Sequence, residues 1–458
     1  MLLDLRAAAH DTILPVVREG LGALRKALAA LDRQLPAHVD KEMEGFLGCG
    51  DPEKGFAWLE CGPCGFHRLV TFSCKGRGFC PRCGGRRMAE HAAHWIDRVI
   101  PQVPARQWVL TVPWGRRWLL ARTPVLLTGV HRIAMRIIER WYAREANAAK
   151  EGRTGSVTVV QRFGSDIRLN LHFHSLFLDG VYCRKANGRL KFRPVVPHTE
   201  DVERLVVSIA ESCEKWLAKQ GYGEEAETQG EDDAQAVIQA AALAGKAALG
   251  ARAGKRARRI QVLGGREVEL PPRCASFEGY NLHAGVGIQA ANRIGLEQLC
   301  RYMLRPPLAK SRLERQADGS LAMTLKRKWS DGTTGIVFSP MEFVERLVAI
   351  VPPPRVHQIL YRGVLAGNSA LRKAVVPRPR EEPADEVADR RAKRLTSQPR
   401  IHWETERPSW HDLLQRVFGV DGFQCPMCGG RLTLRCIVES SASASKILKG
   451  LHKATGPP

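Results

Sequence analysis

Three groups of residues in this chain of 458 have the types and spacing to do chemistry. The first lies in 169–178 (LNLHFHSLFL). On a strand, side chains alternate between faces, so His172 and His174 project together while Phe173 points the other way. Two imidazoles on one face are half of a divalent-metal site. Asn170 shares that face, and Leu171, Phe173 and Phe177 line the opposite one. A histidine pair of this kind also occurs as plain packing, so its weight depends on what stands opposite it. The second group is Tyr302 between Arg301 and Arg305. Guanidinium groups favour a phenolate and neutralise a phosphate, which makes Tyr302 a candidate nucleophile at a phosphodiester. An aromatic on an amphipathic helix is more often a packing residue.

The third group is the cysteines. Six of the 13 fall between Cys49 and Cys83, three between Cys425 and Cys436, and four are scattered. Cys61-x2-Cys64 and Cys80-x2-Cys83 are two knuckles spaced to close one four-thiolate zinc site, each followed by a glycine (Gly65, Gly84) that eases the turn. Cys49 and Cys74 are alternative ligands or part of a second site. Arg77, Arg82, Arg86 and Arg87 surround this module and suit contact with phosphate. Cys425-x2-Cys428 is half a ribbon with only Cys436 as a nearby third thiol, and a metal-free turn fits it as well as a zinc site.

These groups need elements to hold them. The spacing of Leu14, Val17, Leu21, Leu24, Leu28 and Leu31 predicts an amphipathic helix, too short for an independent coiled coil and suited to packing on its own domain. Residues 107–113 read as a strand, 116–149 as helix, 156–163 and 167–181 as strands, and 201–219 as helix. The stretch 221–259, acidic and then Ala/Gly/Lys/Arg-rich, reads as an insertion or flexible loop. Residues 277–288 read as strand and 292–305 as the helix of Tyr302, ended by Pro306-Pro307. Two further strands flank the turn Ser330-Asp331-Gly332. Dense mixed charge and proline mark 376–400 as a linker.

Composition narrows the class. Lys and Arg number 70 against 47 Asp and Glu, a formal net charge of +23, which attracts polyanions and most directly nucleic acid. No apolar run is long enough to span a membrane. The N-terminal residues lack the basic-then-apolar order of a signal peptide, so a reducing, cytoplasmic and nucleoid-associated setting is expected. There, clustered cysteines are metal ligands more often than disulfides.

Taken together, these motifs resemble the transposases of the IS-ninety-one family of insertion sequences, which carry an HUH nuclease core (His, hydrophobic, His). The similarity covers nearly the whole chain: 61–64 (CGPC), 73–83 (SCKGRGFCPRC), 172–174 (HFH), 299–307 (LCRYMLRPP), 330–334 (SDGTT) and 425–430 (CPMCGG). The resemblance implies an α+β fold: an HUH core with an antiparallel sheet flanked by helices, plus an N-terminal zinc-ribbon-like module. It implies rolling-circle transposition of single-stranded DNA. Tyr302 would form a 5′-phosphotyrosine link and His172 and His174 would hold Mg²⁺ or Mn²⁺. A third ligand is expected, with Gln161 on the preceding strand favoured over its rivals Gln298 and Asn170. Structural Zn²⁺ belongs to the cysteine module. Arg301 and Arg305 would contact DNA beside the tyrosine.

One position departs from the family's two-tyrosine members: Gln298 stands where an upstream tyrosine would lie. The chain is therefore similar to the single-tyrosine branch, and a second strand exchange would need another monomer's Tyr302, in a homodimer, or a released 3′-OH. The expected organisation is 1–100 for the helix and zinc module, 101–375 for the nuclease, 376–400 for the linker and 401–458 for a small C-terminal unit. A plasmid relaxase or replication initiator shares this chemistry. A non-catalytic zinc-dependent DNA-binding protein is the reading in which His172, His174 and Tyr302 are structural.

Overall fold

The alternation in 169–178 becomes a ten-residue strand, Leu169–Leu178, inside a six-stranded sheet. The sheet belongs to a computed structural model that describes residues 3–4, 13–223, 233–262, 271–377 and 410–454. Its order is Cys274–Phe277, Tyr280–Ile288, Ala105–Thr111, Leu169–Leu178, Gly155–Phe163 and Ile359–Gly363, with every neighbouring pair antiparallel. The histidine strand is thus an inner one, paired on both sides.

The two faces bury different things. Leu171, Phe173 and Phe177 join Trp108, Leu110 and Val160 in the main core, which includes helices Pro124–Glu145 and Thr199–Lys219. On the other face, Val157, Val159, Leu176 and Leu178 pack with Trp95 and Ile96 of helix Pro81–Arg98 and with Leu296, Leu299, Cys300 and Met303 of helix Arg293–Leu304. By the period of two, His172 and His174 belong to this second face. The protein is α+β, mixed helix and antiparallel sheet.

Helix Ile13–Ala29 buries Val17, Leu21, Leu24 and Leu28 and packs against helix Pro340–Ile350. A Cβ on Gly20 would stand 2.1 Å from the Pro340 carbonyl oxygen, so only glycine permits this approach. The leucine seam is therefore used within the chain, except for Leu31, which is exposed.

Two expectations change. The described part of 221–259 is not a loose insertion: Ala234–Leu243 is a helix packed on Pro340–Ile350, and Arg258–Gln261 is an edge strand beside Thr333–Phe338. Gln235 and Gln239 donate through Nε2 to the carbonyls of Val348, Ala349 and Val351, capping the end of that neighbouring helix. The apolar signal there comes from small alanines beside an acidic run, too weak to read in one dimension. Nor does the C-terminal unit stand apart, since Leu432–Val438 pairs antiparallel with Phe56–Cys61 of the N-terminal module. The linker read at 376–400 lies outside the described residues from 378 onward.

Candidate active site and metal centres

Register places the candidate ligands side by side. His172 stands opposite Gln161 on one neighbour and Thr111 on the other, and His174 opposite Val159 and Val109. Directly paired residues share a face, so Gln161 joins the two imidazoles. The histidine rings lie 4.8 Å apart, centroid to centroid. His172 Nδ1 is 2.8 Å from the Asn170 carbonyl, which can only accept. The ring proton therefore sits on Nδ1 and the Nε2 lone pair is left for another partner. Burial, more than the neighbouring Arg305 and Arg117, pushes the His172 pKa down to about 4, so the ring is neutral near pH 7.

His174 is held at Nδ1 by the Gln107 side-chain amide at 2.9 Å, while its Nε2 is buried without a partner. Gln107 Nε2 donates to Nδ1 as placed, so the ring proton lies on Nε2; turning the amide over, with Gln107 Oε1 accepting from Nδ1–H, would leave Nε2 as a lone pair for a metal. Burial first, then His172, Arg305 and His283, drives its pKa well below the usual histidine value. Gln161 uses Nε2 to donate to the Met303 carbonyl, and its Oε1 is likewise buried and unpartnered. A buried amide oxygen is normally paired, so the orphaned Gln161 Oε1 beside two imidazoles on one face fits a bound cation. Of the rivals, Asn170 also has an unpartnered Oδ1 on this face, whereas Gln298 is exposed on the tyrosine helix.

The helix of Tyr302 starts at the Asn292 cap, whose side chain accepts from Gly295 N at 2.8 Å. It stops at Arg305, where the backbone turns extended before Pro306. Its apolar face is buried, and Tyr302 is left 48% exposed in the last turn. The Tyr302 ring is 6.2 Å from the His174 ring and nearly perpendicular to it. The Arg305 guanidinium stacks 4.1 Å above the ring, and Lys326 Nζ lies 5.8 Å from it. Among the described residues the cations over the ring are therefore Arg305 and Lys326, and Arg301 is not one of them. Sequence reasoning missed Lys326; its signal is the basic run Lys326-Arg327-Lys328 just before the Ser330 turn. Burial, reinforced by Arg305 and Arg312, lowers its pKa to about 8. Gln107 was also missed, since a lone polar residue in 107–113 carries no mark of its role.

A cleft of about 630 Å³ runs from the cysteine module to this site, lined by Lys75, Arg77, Arg86, Arg87, Gln161 and Arg305 among others. Arg82 is absent from it: its guanidinium donates to Thr71 Oγ1 and to the Thr71 carbonyl, binding the module together.

The knuckles do not close on one another. The expected site of Cys61, Cys64, Cys80 and Cys83 is replaced by two separate clusters, Cys49/Cys74/Cys80/Cys83 and Cys61/Cys64/Cys425/Cys428. Cys80 and Cys83 open helix Pro81–Arg98, which brings them to Cys49 at 3.6 and 3.8 Å, with Cys74 at 3.4 Å from Cys83. Four thiolates around zinc at ~2.3 Å sit about 3.8 Å apart. Cys61 instead ends a strand whose knuckle points toward the C-terminal hairpin. Cys436 is exposed and belongs to neither group.

Residues 155–373 match the family model described as “Putative transposase”. Residues 22–112 match the one described as “Transposase zinc-binding domain”. The chain matches no curated protein and no solved structure. The two matches and the cysteine clusters show a transposase, a DNA-cleaving class of enzyme, with a structural zinc module. The chain belongs to the IS-ninety-one family of insertion-sequence transposases.

Proposed function

We propose that this transposase nicks and rejoins single-stranded DNA at element ends through Tyr302, in a rolling-circle reaction. The observation that carries the reading is the tyrosine ring beside His174, with Arg305 stacked on it, a buried orphan Oε1 on Gln161 and an unpartnered buried Nε2 on His174. Tyr302 Oη attacks phosphorus as the P–O3′ bond breaks. The phenol loses its proton, the departing 3′ oxygen gains one, and the 5′ phosphate stays on the tyrosine. The bond energy is conserved in that link, so rejoining needs no nucleotide triphosphate. Arg305 and Lys326 hold the phosphate and favour the phenolate. His172, His174 and Gln161 would hold Mg²⁺ or Mn²⁺, which supplies Lewis-acid polarisation of the phosphate when bound. Arg77, Arg86 and Arg87 along the cleft would guide the strand.

The test is adduct formation on single-stranded oligonucleotides carrying candidate end sequence, with Mn²⁺ or Mg²⁺. Tyr302→Phe keeps the half-exposed ring and its cation stack, so folding and DNA binding should stay within about 0.5 kcal/mol of wild type. The covalent adduct should disappear. An adduct that persists in Tyr302→Phe would show that another residue is the nucleophile. A wild-type protein that binds these oligonucleotides but never forms an adduct favours the non-catalytic DNA-binding reading.

A further inference from the structure

We infer that the chain carries a second zinc site, a clasp made from both ends of the sequence: Cys61 and Cys64 with Cys425 and Cys428. The family match to the zinc-binding domain ends at residue 112, so it does not reach the second pair. The four Sγ atoms lie within 4.8 Å of one another, with Cys61 and Cys428 at 3.5 Å and Cys64 and Cys425 at 3.6 Å. These separations are near the edge of a zinc tetrathiolate, about 3.8 Å, and well beyond a disulfide of ~2.05 Å.

Both knuckles are built alike. Gly65 N donates to the Cys61 carbonyl at 2.8 Å, and Gly429 N to the Cys425 carbonyl at 3.0 Å. Each glycine has a positive φ, +67° and +70°. The first cysteine of each pair donates its own N–H onward, Cys61 to Phe66 O and Cys425 to Gly430 O. Gly430 N also points at Cys428 Sγ, at 3.4 Å, the kind of contact that stabilises a thiolate. Two matching turns face each other across strands Phe56–Cys61 and Leu432–Val438, with Leu432 directly opposite Cys61. Binding one Zn²⁺ releases the thiol protons and leaves four thiolates around one ion.

The clasp fixes more than a surface hairpin. Arg416 of the same C-terminal segment pairs with Asp97 at 2.7 Å and with Glu297 at 2.7 Å, and Glu297 lies on the helix that carries Tyr302. Zinc at the clasp therefore ties the C-terminal segment to the N-terminal module and, through it, seats that segment against the tyrosine helix.

Metal analysis of the full chain tests the site. Wild type should hold two zinc ions. Cys425→Ser/Cys428→Ser, Cys61→Ser/Cys64→Ser and the combined quadruple variant should each hold one, because all four thiols serve the same ion. Two zinc ions retained in Cys425→Ser/Cys428→Ser, or one in wild type, overturns the proposal. A second measurement guards against variants that misfold. A protease site inserted in 385–395 of the otherwise unchanged chain is cut, and the C-terminal fragment is followed by size exclusion. It should stay with the body in wild type and separate at least tenfold more readily when Cys425 and Cys428 are serine. Equal retention in both means that no metal clasp holds it.

Discussion

Replacing Gln161 separates a ligand from a mere spacer. Gln161 is 3% exposed; its Nε2 holds the Met303 carbonyl in the last turn of the tyrosine helix, and its Oε1 has no partner. Gln161→Leu removes both functions. Leaving the buried Met303 carbonyl without its donor costs about 1–3 kcal/mol, partly offset by the added apolar contact, so a net loss of about 1–2 kcal/mol is expected. If Oε1 also holds the divalent ion, the half-saturating Mn²⁺ concentration for adduct formation should rise at least about 10-fold, the scale seen even for residues one step outside a metal's ligands. Gln161→Glu keeps an oxygen for the ion but sets a second oxygen against the Met303 carbonyl. It should lose stability like the leucine variant and retain Mn²⁺ dependence near wild type. The assay is Mn²⁺ titration of adduct yield, with urea unfolding of each variant in parallel. Unchanged Mn²⁺ half-saturation in Gln161→Leu would refute the ligand role and leave only the tie to the helix. Unchanged stability as well would refute both.

Other outcomes follow from packing and charge. Burial pushes the His131 pKa down to about 3, with Arg362 adding to it. The unfolded chain therefore takes up a proton near pH 6.5 that the folded one refuses, and stability is lost as pH falls from 6.5 toward 3. Between pH 6.5 and 5 this histidine accounts for about 2 kcal/mol, so His131→Gln should show a flatter acid limb in urea unfolding. Gly20→Ala forces a methyl toward the Pro340 carbonyl and should cost about 1–3 kcal/mol, seen as a lower urea midpoint at constant m. An undiminished midpoint would mean the two helices slide apart freely. Arg86→Gln/Arg87→Gln should weaken single-stranded DNA binding across all sequences and flatten the slope of log affinity against log salt by up to about 1.4. A slope identical to wild type would take the cleft out of the strand's path.

Local chemistry was legible in one dimension because it repeats at the period of the backbone. His172 and His174 share a face by strand alternation, Gln161 joins them by pairing in register, and Pro306 ends the tyrosine helix by lacking an amide proton. The +23 charge and the cysteine knuckles pointed to nucleic acid and zinc for equally local reasons. The partners of those residues were decided only by the tertiary structure. Two Cys-x2-Cys pairs at a suitable spacing read as one site on paper, yet each closes with cysteines from elsewhere, one of them on a hairpin more than 350 residues away. Thiolates choose partners by distance and direction in space, and strand and helix packing sets both. The same holds for Gln107 behind His174, Lys326 beside Tyr302 and the buried helix Ala234–Leu243. Each is an ordinary residue or a weak pattern until a distant element is folded against it.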